Sequence, residues 1–331
     1  MVAVFNPVTD VDGIARQALE CYGLPERCRL RMVNHSENTT YRVDDPVSGE
    51  RLILRVHRPG YHTREAIDSE LAWLNTLRRD TDVVTAEPIP GSDGRLVQYS
   101  KSAAGGEEGR YCVLFTFLEG SPPSEEALVP AFERLGEVTA KLHAHARGFD
   151  VPEGFVRPRW DYEAMLGETS LWGRWQEGPR MTPASLEVLG TLARTILRRL
   201  EAFGDSPEQF GLIHADLRLD NLIMRGREVC VIDFDDAGFG WWLYDLGAAL
   251  SFIEDREDID ELVAAWVRGY RTQHPLTRDE VDEIPTFIML RRLLLVAWLG
   301  THADTQIAKS LSGHFTSVSG TLAERYLLRY G

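Results

Sequence analysis

The most distinctive segment of this chain is Ile213-His214-Ala215-Asp216-Leu217-Arg218-Leu219-Asp220-Asn221, followed by Val231-Ile232-Asp233-Phe234. It contains the pattern His-x-Asp-x-x-x-x-Asn, and then a short apolar strand that ends in an aspartate. Phosphoryl transfer needs one carboxylate to meet the acceptor hydroxyl, and oxygen ligands that hold a metal ion against the nucleotide phosphates. The pattern therefore predicts Asp216 as the catalytic base and Asn221 and Asp233 as Mg²⁺ ligands.

A competing interpretation is a hairpin whose polar turn is merely solvated, since Asp and Asn are common in turns. That interpretation does not account for His214, Asp216 and Asp233 occurring together. Because Asp216 already occupies the base position, we expect His214 to organise the loop rather than carry a proton. Arg218 is expected to support the loop or neutralise its charge.

At these residues the chain resembles the aminoglycoside phosphotransferase and choline kinase group, the small-molecule relatives of protein kinases. The group ends its metal strand with a triplet such as Ile232-Asp233-Phe234, followed by an element such as Tyr244-Asp245-Leu246. The resemblance extends from about Asn34 to the last helix. It implies an α+β, two-lobed protein-kinase-like fold. Residues 1–118 would form a small β-rich nucleotide-binding lobe, and residues 119–331 a larger, mostly helical lobe with the catalytic loop and substrate site.

The pattern of the first 118 residues agrees with such a small lobe. Apolar and β-branched runs predict strands, and Thr63 is a good N-cap for a helix with apolar residues at helical spacing. The predicted order is helix Asp10–Cys21, strands Arg29–Asn34, Tyr41–Asp44 and Arg51–His57, helix Arg64–Arg79, and strands Leu96–Tyr99 and Tyr111–Phe117. Glycine-rich residues 103–109 separate the last two strands.

The composition changes at Glu119-Gly120-Ser121-Pro122-Pro123, which marks the predicted lobe boundary. Most of the chain beyond this boundary has helical spacing of its apolar residues. The predicted helices are Ala131–Ala146, Asp161–Glu168, Pro183–Phe203, Trp241–Ile253, Ile259–Gln273, Arg278–His302 and Thr316–Arg329, with the catalytic β segment inserted among them.

The resemblance also implies a cation on the third strand that contacts the α- and β-phosphates. No lysine precedes Lys101, which is predicted in a loop, so Arg55 holds the matching position. An arginine stays charged and grips phosphate with two donors. Glu70, on the predicted helix, is the best match for the carboxylate that pairs with this cation, and Glu65 is the alternative.

Three further groups of residues complete the predicted site. Ser36 and Asn38 lie in the turn where the family has its phosphate-covering loop. Phe117 and Leu118 fit the hinge, whose backbone would hydrogen-bond the adenine edge. Asp235 and Asp236 come after the metal strand, where they would meet a cationic substrate or simply be solvated.

Composition restricts the partners. The net charge of −15 argues against nucleic acid and anionic membranes as partners and is compatible with a cationic substrate. No uninterrupted run of 18 apolar residues predicts a membrane span, and the N-terminus does not look like a signal peptide. The four cysteines form no metal-binding pattern, so we expect a reducing cytoplasm.

The sequence therefore predicts an ATP- and Mg²⁺-dependent kinase for a hydroxyl of a small molecule. Substrates of the resembled family include aminoglycosides and other antibiotics, choline, homoserine and sugars, and the residues do not choose among them. A bacterial stress-type Ser/Thr protein kinase of the same fold is an alternative. A pseudokinase that acts as an interaction module is a second alternative, favoured only by the arginine at position 55.

Overall fold

The computed structural model describes residues 10–35, 38–102 and 109–331. These residues form two compact units. The first is drawn from Met1–Thr76, Thr85–Glu119 and Pro152–Val156, and the second from Leu77–Val84, Gly120–Val151 and Arg157–Gly331. The assignment of nucleotide binding to residues 1–118 and of substrate binding to residues 119–331 stays a prediction.

The N-terminal part of the chain contains a six-stranded sheet, two helices and the two-residue strand β4 (Val84–Thr85), which does not belong to that sheet. Its elements are α1 (Val11–Cys21), β1 (Arg29–His35), β2 (Thr39–Asp44), β3 (Arg51–Val56), α2 (Arg64–Asp80), β4 (Val84–Thr85), β5 (Pro88–Ile89), β6 (Val97–Ser100) and β7 (Arg110–Thr116). Strands β1, β2, β3 and β7 pair in that order, all antiparallel. One end of β7 also pairs with β5 and the other with β6.

The core of the first unit lies between α1 and the sheet. Strand β2 alternates strictly, with Thr39, Tyr41 and Val43 buried, as expected for a sheet with one covered face. Helix α1 places Ile14 and Leu19 in the same apolar cluster. Thr63 caps α2 as predicted, because its hydroxyl accepts the N–H of Ala66 at 3.2 Å.

The second unit is mostly helical. Its elements are α3 (Leu128–Arg147), β8 (Arg159–Trp160), α4 (Tyr162–Leu166), α5 (Pro183–Phe203), β9 (Phe210–Ile213), β10 (Leu222–Arg225), β11 (Glu228–Val231), β12 (Gly238–Trp241), α6 (Tyr244–Ala249), α7 (Ile259–Tyr270), α8 (Arg278–Thr301), α9 (Gln306–Leu311) and α10 (Phe315–Tyr330).

Two short β structures hold the motif loops of this unit. Strands β10 and β11 form a hairpin in which Leu222 faces Val231. Strand β12 runs antiparallel to β9 and parallel to β8. Residues 214–221 therefore connect β9 to the hairpin, and residues 232–237 connect the hairpin to β12. The N–H of Ile232 donates to the carbonyl oxygen of Asn221 at 3.0 Å, which places the two loops side by side.

Helix α8 is the longest described helix, and it is mostly buried. A capping box begins it, in which Thr277 and Glu280 satisfy each other's backbone N–H groups. Among the described residues, it alone is long and apolar enough to cross a membrane by length and composition. However, 78% of its apolar window is buried inside the protein, as in a core helix, and the window is interrupted by Arg291 and Arg292.

Of the predicted helices, Trp241–Ile253 departs most from the structure in its extent. Residues 241–253 do not form one helix, because Trp241 closes strand β12 and α6 covers only Tyr244–Ala249. Phe252 then adopts a positive φ of 70°, which is incompatible with a right-handed helix. The predicted helix Asp161–Glu168 is shorter as well, since the side chain of Asp161 caps the helix from outside it.

Candidate active site

The loop that begins with His214 is anchored by the buried carboxylate of Asp245 on α6. Its oxygens accept the backbone N–H of His214 at 3.2 Å and that of Ala215 at 2.7 Å. The imidazole of His143 on α3 lies 2.9 Å from the same carboxylate. Ala215 has a φ of 66°, a conformation that costs a non-glycine residue energy and persists where surrounding contacts enforce it. Asp245 therefore fixes the backbone turn that leads into Asp216.

His214 joins the two motif loops. Its Nδ1 lies 3.3 Å from the backbone nitrogen of Asp216, and its Nε2 lies 3.2 Å from the carbonyl oxygen of Ile232. A backbone N–H only donates and a carbonyl oxygen only accepts, so these contacts fit a neutral imidazole protonated on Nε2. His214 thus has the contacts of a loop organiser, the role predicted for it.

The carboxylate of Asp216 is held at both oxygens. Oδ1 accepts from Nη2 of Arg291 at 2.6 Å. Oδ2 accepts from Nδ2 of Asn221 at 2.8 Å and from Nε of Arg218 at 3.2 Å. Its side chain is 13% exposed, so an incoming group can reach a carboxylate that is otherwise enclosed.

The charges around Asp216 keep it ionised. Burial alone would raise the pKa of this carboxyl, but the nearby Arg218 and Arg291 hold the pKa below its ordinary value. Against the effect of burial, Asp216 raises the pKa of Arg218, and Tyr244 and Asp216 raise the pKa of Arg291. A negatively charged oxygen is therefore available to accept a hydrogen bond from a hydroxyl.

Asn221 and Asp233 carry the oxygen ligands of the predicted metal site, and their binding of a metal ion stays a prediction. The amide nitrogen of Asn221 is directed at Asp216, where it also donates to the backbone carbonyl oxygen at 2.9 Å, so the amide oxygen faces away. Asp233 is exposed, and its φ of 63° is the kind of backbone strain that concentrates at functional sites. Amide and carboxylate oxygens are the ligands that Mg²⁺ prefers.

Arg55 and Glu70 form an ion pair within the first unit. Nη2 of Arg55 lies 2.6 Å from Oε1 of Glu70, and the side chains are 6% and 1% exposed. The guanidinium also lies over the ring of Phe115. The alternative partner, Glu65, is exposed, so the predicted pairing with Glu70 is confirmed. Contact of Arg55 with phosphate stays a prediction.

The other residues predicted to bind the nucleotide differ in their burial and contacts. Ser36 lies outside the described residues. Asn38 is buried, and its Oδ1 accepts the backbone N–H of Arg58 at 3.1 Å. Phe117 and Leu118 are half-buried and come directly after the last residue of β7. Their roles toward ATP stay predictions.

The segment after Asp233 is held through its backbone. Arg157, which is 8% exposed, donates to the carbonyl oxygens of Phe234, Asp235 and Ala237. The indole N–H of Trp160 donates to the backbone carbonyl oxygen of Asp236 at 2.7 Å. Asp235 is buried and Asp236 is half-buried. Contact of either side chain with a substrate stays a prediction.

Three contributors to the site were missed by sequence reasoning: Arg291, Arg157 and Asp245. Arg291 lies in an apolar helix 75 residues after Asp216, and no local pattern marks it. For Asp245 a signal existed, because it lies in the Tyr244-Asp245-Leu246 element, but its role as an anchor depends on tertiary contacts.

Comparison with known proteins identifies the family. The model of the phosphotransferase enzyme family (APH) matches residues 30–284. The chain belongs to this family. It is a kinase, a phosphotransferase whose acceptor is an alcohol group of a small molecule.

Three relatives indicate how far the similarity of this phosphotransferase extends. The structure of a microcompartment-associated aminopropanol kinase is 40% identical, with a TM-score of 0.89 over 97% of this chain and 99% of that one. An amicoumacin kinase, solved with AMP-PNP, Ca²⁺ and Ami, is 21% identical, with a TM-score of 0.75 over 94% of this chain and 93% of that one. The homoserine kinase of Rhizobium rhizogenes is 28% identical, and the match covers 67% of each chain.

These structures confirm the predicted fold class. The phosphotransferase has a kinase-like α+β fold, with a β-sheet N-terminal region and a helical C-terminal region.

Proposed function

We propose that this phosphotransferase transfers the γ-phosphoryl group of ATP to the hydroxyl of a small amino alcohol related to aminopropanol. The observation that carries the proposal is the 40% identity to an aminopropanol kinase over nearly the whole of both chains. An amino alcohol is cationic at neutral pH, which suits a protein with a net charge of −15.

Each motif residue has a role in this reaction. The acceptor oxygen forms a bond to the γ-phosphorus while the bond from that phosphorus to the bridging oxygen of ADP breaks. Asp216 orients the hydroxyl and accepts its proton. Asn221 and Asp233 would hold Mg²⁺, which neutralises charge on the phosphate oxygens.

The ion pair of Arg55 and Glu70 supports a role for this arginine in holding the nucleotide. A buried ion pair is a weak source of stability, because desolvation offsets the attraction between the charges. A functional reason for keeping the pair is therefore favoured over a structural one. We propose that Glu70 orients Arg55 and that the guanidinium forks across two oxygens of the ATP phosphates.

The relatives favour a small acceptor over a protein. All three are named as kinases of small molecules, so the stress-type protein kinase and pseudokinase interpretations gain no support from them.

The four cysteines are free thiols, in keeping with the proposed reducing cytoplasm.

The test is a screen of acceptors with purified protein, ATP and Mg²⁺. ADP release is measured with 1-amino-2-propanol, ethanolamine, choline, homoserine and kanamycin. We expect kcat/KM to be highest for 1-amino-2-propanol, and propylamine, which lacks the hydroxyl, to give no release above background. A clear preference for kanamycin would replace the amino alcohol proposal, and ADP release that no acceptor increases would refute it.

A further inference from the structure

We infer that Arg291 on α8 is a positioning residue that orients the carboxylate of Asp216 for phosphoryl transfer. The inference rests on the proposed function, in which Asp216 meets the acceptor hydroxyl. The contact between Nη2 of Arg291 and Oδ1 of Asp216 is 2.6 Å long, and the arginine side chain is 2% exposed. A charge-assisted hydrogen bond of this length, away from solvent, is among the strongest polar contacts in proteins.

Arg291 is itself fixed by several acceptors. Nε donates to the hydroxyl of Ser251 at 2.9 Å. Nη1 donates to the carbonyl oxygen of Ala215 at 3.3 Å and to the hydroxyl of Tyr244 at 3.2 Å. The guanidinium also lies over the ring of Trp172, 5.0 Å from its centroid. Rotation of the guanidinium would break all of these contacts, so it presents Nη2 to Asp216 in one direction.

The backbone of α8 is held close enough to α6 for this contact. Gly247 on α6 faces the carbonyl oxygen of Phe287, and a Cβ at position 247 would lie only 2.6 Å from that oxygen. Arg291 is four residues after Phe287 and therefore lies on the same face of α8, one turn further on. The packing of these two helices thus places the guanidinium at the depth of the catalytic loop.

The second arginine at Asp216 is a weaker constraint. Arg218 lies 3.2 Å from Oδ2, its side chain is 20% exposed, and it shares its charge with Asp220, which is 67% exposed. A 3.2 Å contact from a partly exposed guanidinium restrains the carboxylate less than a 2.6 Å contact from a buried one. Arg291 therefore determines the direction of Oδ1, while Asn221 and Arg218 hold Oδ2. A misplacement of a reacting group by about 1 Å can cost roughly 10²-fold in rate, so this orientation matters for catalysis.

The test compares Arg291→Met and Arg291→Lys with the matched control Arg292→Met. Arg292 is the next residue of the same helix, is also 2% exposed, and has its own buried partner, Glu254, at 2.6 Å. With 1-amino-2-propanol, we expect kcat of folded Arg291→Met to fall about 10²-fold. The Kd for Mg·AMP-PNP and the KM for the acceptor should stay near those of the wild type. Folded Arg292→Met should keep kcat, and Arg291→Lys should recover part of it.

Chemical rescue distinguishes a positioning role from a general loss of stability. In Arg291→Ala, added guanidinium at a non-denaturing concentration should restore part of kcat, whereas Arg292→Ala should gain nothing. Normal kcat in folded Arg291→Met would overturn the inference. Equal losses at positions 291 and 292 would also overturn it, and so would a raised KM for the acceptor with unchanged kcat.

Two milder variants test the inference if Arg291→Met does not fold. Ser251→Ala and Tyr244→Phe each remove one acceptor of the guanidinium but leave its charge in place. Both should lower kcat without changing the Kd for Mg·AMP-PNP, and unchanged kcat in both would overturn the inference. If Asp216→Asn is inactive while Arg291→Met is normal, only the inference fails. If the wild type transfers no phosphoryl group, the proposed function fails and the inference fails with it.

Discussion

At the scale of single residues, Asp216 combines a chemical and an electrostatic role. Replacement by asparagine removes the proton acceptor and leaves two arginines without their shared carboxylate. We expect Asp216→Asn to lower kcat by about 10²- to 10⁴-fold, with the affinity for Mg·AMP-PNP near that of the wild type. The measurement is steady-state kinetics together with calorimetry. Near-normal turnover would rule out Asp216 as the base.

The asparagine variant should also be less stable. Arg291 is fully buried, and the loss of a buried charge's partner typically costs about 3–5 kcal/mol. Thermal unfolding of Asp216→Asn should therefore show a lower Tm. An unchanged Tm would indicate that the carboxylate does not compensate the arginine in the folded protein.

The pair of Arg55 and Glu70 allows stability and nucleotide binding to be separated. Arg55→Met leaves a buried, uncompensated Glu70, so we expect a loss of about 3–5 kcal/mol in the free energy of unfolding and a raised KM for ATP. Arg55→Met combined with Glu70→Met removes both charges. The double variant should regain stability while its KM for ATP stays raised. If both properties recover together, Arg55 has no role in binding the phosphates.

The residues that sequence alone identified are those that belong to one continuous pattern. His214, Asp216 and Asn221 lie within eight positions, and the hairpin β10–β11 brings Asp233 back beside them. Arg55 and Glu70 were found because the family resemblance implies a cation on the third strand and a carboxylate on the helix that follows, and the strand and helix patterns located both positions. Arg291 escaped detection because its role depends on the packing of α8 against α6, which no local pattern encodes.

At the scale of elements, α3 and α7 approach each other through two glycines. A Cβ on Gly136 of α3 would collide with the carbonyl oxygen of Trp266 on α7, and one on Gly269 of α7 would collide with that of Glu133 on α3. Because both obstacles are backbone atoms, the helices would have to separate. We expect Gly136→Ala to lower the free energy of unfolding by about 1–3 kcal/mol, as measured by urea denaturation.

A third helical glycine provides the control for this prediction. Gly190 lies in the interior of α5, and the nearest atom to its Cβ would be Nη1 of Arg194 at 3.5 Å, an ordinary contact. Gly190→Ala should stabilise the protein by about 0.5–1 kcal/mol, because alanine has the higher helix propensity. If both alanine variants are stabilised, the close contact between α3 and α7 is not needed for folding.

Strand β12 is one element that the sequence patterns missed, and its absence from the prediction has a physical cause. Strand β12 has the sequence Gly238-Phe239-Gly240-Trp241, whose glycines disfavour a strand on propensity alone. It forms because its backbone groups pair with β8 and β9, which are distant in the chain. Gly238 and Gly240 also leave room for Pro158 and Ile213, which a Cβ would meet at 2.4–2.6 Å. Tertiary pairing overrides local preference at this site.

At the scale of the whole molecule, one buried histidine couples stability to pH. Burial lowers the pKa of His143 from its ordinary 6.5. The positive charges of the nearby Arg147 and His274 lower this pKa further, whereas the negative charge of Asp245 raises it. The neutral ring contacts both Tyr270 and Asp245 at 2.9 Å. It therefore connects α3 and α7 to the carboxylate that anchors the catalytic loop.

The sign of the pH dependence is set by the lowered pKa. As pH falls through 6.5, the unfolded chain binds a proton at this position before the folded protein does. The stability contributed by neutral His143 is therefore complete above pH 6.5 and is lost as pH falls toward the lower folded pKa. We expect Tm to fall more steeply below pH 6.5 in the wild type than in His143→Gln. Equal slopes would show that His143 does not titrate on unfolding.

In the proposed reaction, the protein forms a phosphate ester on the hydroxyl of a small amino alcohol. Phosphorus NMR of a reaction with ATP, Mg²⁺ and 1-amino-2-propanol identifies the bond that is made. We expect a new phosphate monoester resonance, split by the carbon-bound proton next to the ester oxygen, that grows as ADP appears and is absent with Asp216→Asn. Formation of inorganic phosphate alone, or of a phosphorus–nitrogen bond, would contradict it.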